Sequence, residues 1–282
     1  MNCSCITIPV CPLIFYQLYT FHVKLPDGKT VPVVYAFLPA KSSETYRRLL
    51  RIILEAVDGF HPQGIHIDFE VAMIRELEIA FPAAGVLGCS FHFNQSVWRH
   101  VQGDPNLREA YTQNHDFALK LRMFPALSYA PIDEVVTLFN MLVDSEFVRG
   151  NERLLTGFVN YFEATWVGRE RNPPLMKLEW WNVHSLVLDG MGCTNNEVEG
   201  WHSAFAGRIG SSHPTVFKLL EQIKVEQGKT EFVVENSLSQ GIGNRSKKKY
   251  RDRQQRLYKL VSTYATRNSL LFLRGIAHNI SF

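Results

Sequence analysis

Ile65-His66-Ile67-Asp68-Phe69-Glu70 is the stretch on which the fold turns. A short apolar run delivers a carboxylate at its end and then opens into an amphipathic segment through about Ala80, the pattern of a strand feeding a helix. An aspartate that closes a buried strand loses packing and desolvates a charge. That is tolerated where a metal or substrate meets it at the strand's carboxyl end. The competing role is an N-cap for the helix that follows.

Outward from that stretch the chain alternates strand and helix signals. Leu13 to Val23 is rich in aromatic and branched residues, Pro26-Asp27-Gly28-Lys29 supplies turn chemistry, and Thr30 to Leu38 is strand-like again, which predicts a β-hairpin. Ser42 or Ser43 caps an amphipathic helix in which Tyr46, Leu49, Leu50, Ile53, Leu54 and Val57 recur at helical spacing, ending near Gly59. The Asp68 strand and its helix follow, then a strand from Gly85 to about Cys89 and a helix beginning near His92. Two strands and then βαβα predict an α/β (α+β) mixed sheet with helices on its faces. Beyond Asn106 strand signals stop and helical spacing takes over through Val167. Leu186 to Gly192 reads as a return to the core, Asn196 to Arg208 as a helix with Asn196 at its N-cap, and Pro214 as the start of another helix. The expected division is 1–105 for the first part of the core, 106–185 for a helical insertion, 186–230 for the rest of the core, and 231–282 for a basic helical tail.

Composition bounds the function. The chain has 282 residues, 46% of them hydrophobic, enough for a sizeable core, and a net charge of +3, too small by itself to imply a polyanionic partner. Basic residues nevertheless cluster: Arg245, Lys247, Lys248, Lys249, Arg251, Arg253, Arg256 and Lys259 face the single acid Asp252. This run reads either as a solvated helix face or as a nucleic-acid contact and nuclear import signal. Five cysteines, three of them at Cys3, Cys5 and Cys11, show neither zinc-ribbon nor disulfide spacing, so reduced thiols are expected. The N-terminal region lacks the features of a signal peptide, and no stretch reaches the roughly 20 apolar residues of a membrane span. The expectation is a soluble intracellular protein.

Two acids carry the chemical reading: Asp68, and Glu199 within Thr194-Asn195-Asn196-Glu197-Val198-Glu199-Gly200-Trp201-His202. Glu199 stands three residues after Asn196, so it can also reach back in a capping box. Together the two resemble a metal site, because phosphodiester chemistry with Mg²⁺ or Mn²⁺ needs carboxylates converging from a central strand and a later helix. Cys89-Ser90-Phe91-His92 offers a thiol and an imidazole. Zinc there would need Cys193 and His202 as further ligands, and a buried thiol beside a hydrogen-bonded histidine is the stronger reading.

Leu13 to His22, Val31 to Pro39, Glu44-Thr45-Tyr46, Asp68-Phe69-Glu70 with Ala72, Phe81-Pro82, Cys89 to His92 with Gln95, Tyr161-Phe162-Glu163 with Thr165-Trp166, and Asn195 to His202 occur in one order. That combination resembles the transposase domain of Mutator-like elements, the MULE family of DDE type. The resemblance implies a ribonuclease-H-like mixed sheet with an all-helical insertion and an ancestral metal-dependent DNA cleavage and strand transfer. It assigns Asp68 and Glu199 as catalytic, metal-binding carboxylates, and His92, Gln95, Cys89 and His202 as accessory, with His92, Gln95 and Arg99 lining the acidic site. The basic run, read as a nucleic-acid contact, gives DNA as partner through Arg245, Lys247, Lys248, Lys249, Arg251 and Arg253 and a nuclear location, and a homo-oligomer is expected as a further association.

The departure from the pattern is upstream. The family's first catalytic aspartate lies in an Asp-Gly-Thr-Phe-like segment before Phe15-Tyr16-Gln17, and residues 1–10 contain no acid, Asn2 being the nearest isostere. The expectation is an N-terminally truncated transposase domain whose first central strand is missing or replaced, with Cys5 to Val10 as the substitute strand. Catalysis is then expected to fail, leaving a decayed or domesticated transposase that keeps DNA binding. The alternatives are a residual Mg²⁺- or Mn²⁺-dependent nuclease and a helical protein-interaction module.

Overall fold

The computed structural model describes residues 2–8, 10–169, 171–191, 196–240, 248–280 and 282. Along the chain run β1 (Asn2–Ile8), β2 (Gln17–Lys24), β3 (Thr30–Leu38), α1 (Ser43–Ala56), β4 (Gly64–Ile67), α2 (Val71–Ala80), β5 (Gly85–Gly88) and α3 (Ser90–Gly103). Helices follow: α4 (Pro105–Gln113), α5 (His115–Leu121), α6 (Met123–Ala126), α7 (Val135–Val143), α8 (Glu146–Gly150), α9 (Glu152–Phe162), α10 (Leu178–Trp181), α11 (His184–Leu188), α12 (Asn196–Ile209), α13 (Val216–Gln240), α14 (Lys248–Ser262) and α15 (Ser269–Ala277). None of the described helices is long and apolar enough to cross a membrane. The chain divides into two compact units, 1–87 with 195–245 and 88–194 with 246–282.

The first unit is built on a mixed sheet of order β3-β2-β1-β4-β5. The hairpin forms as its turn chemistry predicts: Gly28 adopts φ +86, which a glycine reaches without steric cost, and its N–H donates to the Leu25 carbonyl. β2 begins at Gln17 rather than Leu13, because the chain turns at 13–16, where Phe15 N–H donates to the Pro12 carbonyl. Ser42 caps α1 by accepting from the Thr45 N–H. Tyr46, Leu49, Leu50 and Ile53 are buried on one stripe of that helix.

Of the two expectations for the first central strand, missing or replaced, the structure has a strand in that place, which corrects only the first. β1 occupies the central position, antiparallel to β2 (Cys5↔Phe21) and parallel to β4 (Cys5↔Ile67). The segment is Asn2–Ile8, displaced toward the N-terminus from the substitute strand expected over Cys5 to Val10; Pro9 lies outside the described residues. Small side chains suit a strand buried on both sides, and Cys3, Cys5, Ile6 and Ile8 are all buried.

Pleating divides the sheet into two faces. Cys3, Cys5 and Thr7 share one face with Val23, Phe21 and Tyr19, and the Tyr19 ring lies 5.6 Å from that of Tyr46 on α1. Ser4, Ile6 and Ile8 share the other with His22, Thr20 and Leu18. There α12 and α13 supply the cover: Phe205, Ile209 and Leu219 close a buried cluster with Ile8, Val10, Cys11 and Leu18.

The second unit is helical. Its centre is aromatic: Phe93 of α3 stacks on Trp181 at 5.1 Å and meets Trp166 edge-on at 4.7 Å, while Phe124 meets Phe158 at 5.1 Å. The Tyr161-Phe162-Glu163 motif ends α9 and passes into one π-helical turn over Glu163–Val167. The expected return to the core over Leu186 to Gly192 is corrected: its described part belongs to this unit, as α11 and the turn after it.

Candidate functional site

Asp68 follows β4 directly, at the carboxyl end of a strand inside the sheet. The N-cap position of α2 is taken by Glu70, two residues on, which makes no side-chain cap bond. Continuing the parallel register one residue past Cys5↔Ile67 brings Asp68 level with Ile6, on the face that α12 covers.

Glu199 stands in the first turn of α12, where the helix dipole favours an acid. Carboxylate oxygens of Asp68 and Glu199 lie within 4.8 Å of each other, and both residues are half-buried. The fold therefore joins two acids that the sequence separates widely. Two carboxylates at this separation repel unless a cation lies between them, and in a partly dry site that repulsion is weakly screened. One divalent ion with oxygen ligands at about 2.0–2.1 Å and several retained waters fits such a pair. Among the described residues no third carboxylate joins this pair, and the level position on β1 is held by Ile6, which is 3% exposed.

Next to the carboxylates runs a row of histidines. Ser4 is paired with His22 on one side and His66 on the other. His22 is fully buried, its ring 4.8 Å from Trp201 and 5.9 Å from His202 of α12. Its Nε2 lies 3.0 Å from the Thr20 hydroxyl, which is itself 3.4 Å from the Ile6 carbonyl. Burial, with His202 nearby, lowers its pKa to about 3, and burial with Lys24 lowers that of His66. These imidazoles are held neutral and donate or pack; they bring no positive charge to the acids.

Behind Trp201 sits a further acid that the sequence reading did not single out. Glu226 of α13 is 4% exposed and accepts from Trp201 Nε1 at 2.9 Å, Arg208 at 2.6 Å and Lys229 Nζ at 2.8 Å. A cleft of about 380 Å³ opens beside it, lined among others by Thr30, Glu197, Trp201 and Lys229. The helical spacing of Arg208 after Trp201 was visible, but nothing local announced that a glutamate on the next helix would meet both.

The remaining expected residues separate by unit. His202 is buried in the first unit against His22 and Trp201. Cys89, fully buried, and the half-buried His92 and Gln95 belong to the second unit, at the start of α3. Among the described residues Cys89 joins no cluster of three possible metal ligands, and Cys193 lies outside them. Of the basic run, Lys248 and Arg251 are exposed on α14 and Arg253 is half-buried. Arg245, Lys247 and the Lys249 side chain lie outside what is described.

A mixed sheet that meets a crossing helix at a strand-end aspartate defines an α/β domain with a two-carboxylate site. Residues 13–96 match the model of the MULE transposase domain, so the chain carries a MULE transposase-like domain over this segment. The matched stretch holds β2, β3, α1, Asp68 and the Cys89 to His92 motif; Glu199 and most of the helical unit lie outside it. No curated protein matches the chain.

Proposed function

We propose that this is a transposase-derived protein with a ribonuclease-H-like core that holds one Mg²⁺ or Mn²⁺ through Asp68 and Glu199, binds DNA, and does not cut it. The observation that carries the reading is the convergence of those two carboxylates within 4.8 Å on one sheet face. When bound, a divalent cation supplies Lewis-acid polarisation of a phosphodiester and lowers the pKa of a water beside it. The chain's own part is to hold both carboxylates in place, to keep His22 and His66 neutral, and to exclude water with Trp201 and Ile6. Strand cleavage by this chemistry uses two ions about 3.5–4 Å apart, and two carboxylates supply too little charge to hold both. DNA is gripped by α14, where Lys248, Arg251, Arg256 and Lys259 are exposed. A role at DNA places the protein in the nucleus.

The test is nicking of supercoiled plasmid in Mn²⁺. The natural sequence is expected to leave plasmid intact, while Ile6→Asp, which returns a carboxylate level with Asp68, is expected to nick it. Ile6→Asn, of similar size without the charge, should stay inactive. Nicking by the natural chain that Asp68→Asn abolishes would make it a residual nuclease instead. A folded Ile6→Asp chain that binds Mn²⁺ but never nicks would refute the assignment of Ile6.

A further inference from the structure

Thr7, Gln17, Tyr46 and Glu70 come from β1, β2, α1 and the turn after Asp68, and the site described above uses none of them. They are joined by one continuous run of hydrogen bonds. Thr7 Oγ1 donates to Gln17 Oε1 at 2.8 Å, Gln17 Nε2 donates to the Tyr46 hydroxyl oxygen at 2.8 Å, and the Tyr46 hydroxyl donates to Glu70 Oε1. Lys41 Nζ lies 3.6 Å from the other Glu70 oxygen. Gln17 is 2% exposed and Tyr46 fully buried.

A core position that served packing alone would be filled by an apolar side chain, because a buried amide or hydroxyl costs free energy until it is bonded. Phenylalanine at position 46 would keep the ring contact with Tyr19. Here every donor points the same way, and the run terminates on a carboxylate, so each bond polarises the next. Burial pushes the Tyr46 phenol up, with Glu70 adding to the shift, which keeps the hydroxyl a donor.

Glu70 is the receiving end, and it is tied to Asp68. Its N–H donates to the Asp68 carbonyl at 2.7 Å, and its own carbonyl accepts from the Met73 and Ile74 N–H groups that begin α2. Glu70 thus fixes the turn on one face of the sheet while Asp68 projects to the other. We infer that this buried relay is a positioning device: Tyr46, held by Gln17, grips Glu70 and thereby aims the Asp68 carboxylate at Glu199. Three of its four members, Gln17, Tyr46 and Glu70, fall in the sequence motifs that carried the family resemblance, and the relay gives them a common purpose.

The inference rests on the proposed cation role of Asp68 and Glu199, and two measurements on the full chain separate the two ideas. In Tyr46→Phe, amide hydrogen exchange over residues 68–74 should accelerate while exchange in β3 stays unchanged, and Mn²⁺ affinity should fall about tenfold, the effect typical of a lost outer-shell partner. Thr7→Ser, which keeps the hydroxyl, should match the natural chain in both readouts. Unchanged exchange over 68–74, or a rise spread evenly over the first unit, would overturn the positioning role. If the natural chain binds no Mn²⁺, the cation reading fails, and the exchange pattern alone still decides the relay.

Discussion

Glu226 shows how one side chain organises its surroundings. A carboxylate that is 4% exposed is stable only with donors around it, and Trp201, Arg208 and Lys229 provide them from two helices. Lys229 is half exposed, so its ion pair is discounted for solvent screening. Losing the other two bonds in Glu226→Ala should destabilise the chain by about 2 kcal/mol, read as a lower urea midpoint at unchanged slope. His22 makes a pH prediction of definite sign. An unfolded histidine titrates near 6.5, whereas the folded one titrates at about 3. Below pH 6.5 the unfolded chain binds the extra proton first, so stability is full above that pH and falls as the pH drops toward 3. Urea midpoints measured from pH 7 to pH 4.5 should decline, and His22→Gln should flatten the decline. An identical slope in that variant would show that His22 is not responsible. Asp68 was visible in the sequence because a charge at the end of an apolar run is anomalous. Glu226 was not, since its partners lie on two helices and leave no local pattern.

Among the elements, β3 and α1 were legible almost to the residue. Alternation, the Pro26-Asp27-Gly28 turn and the Ser42 cap are local signals that agree with the tertiary structure. β1 was harder. Asn-Cys-Ser-Cys-Ile-Thr-Ile has small polar side chains where a central strand is expected to be rich in branched apolar residues, and only pairing on both edges makes it a strand. α11 was missed because five residues are too few to show a helical period. The π-helical turn after α9 leads to Gly168 at φ +79, where an added Cβ would stand 2.7 Å from the Pro174 nitrogen. Gly168→Ala meets both a disfavoured backbone conformation and a clash with backbone, and is expected to cost about 3 kcal/mol. Thermal unfolding of the variant beside Gly157→Ala, where the added methyl meets open space, isolates the effect.

The chain as a unit combines a sheet-based acidic site with a basic helical element, and the two make separable predictions. If α14 grips phosphates, the logarithm of DNA affinity should fall linearly with that of salt concentration, and Arg251→Ala with Lys259→Ala should make the slope shallower by about two. Those substitutions lie far in sequence from both carboxylates and leave the acidic pair intact. In the sequence, strand signals stop where helical spacing begins; in the structure the units are bounded at Leu87 and residue 195, and 246–282 joins the helical one. Contacts between distant segments set such limits, and a hydrophobic period cannot reveal them.

The acidic site stands or falls with a cation shared by Asp68 and Glu199. Titration of Mn²⁺ into the full chain, followed by the loss of its free-ion paramagnetic resonance signal, measures that directly. One Mn²⁺ should bind per chain, and either Asp68→Asn or Glu199→Gln should abolish binding while the fold persists. Binding that survives in both variants, or no binding by the natural chain, would contradict it.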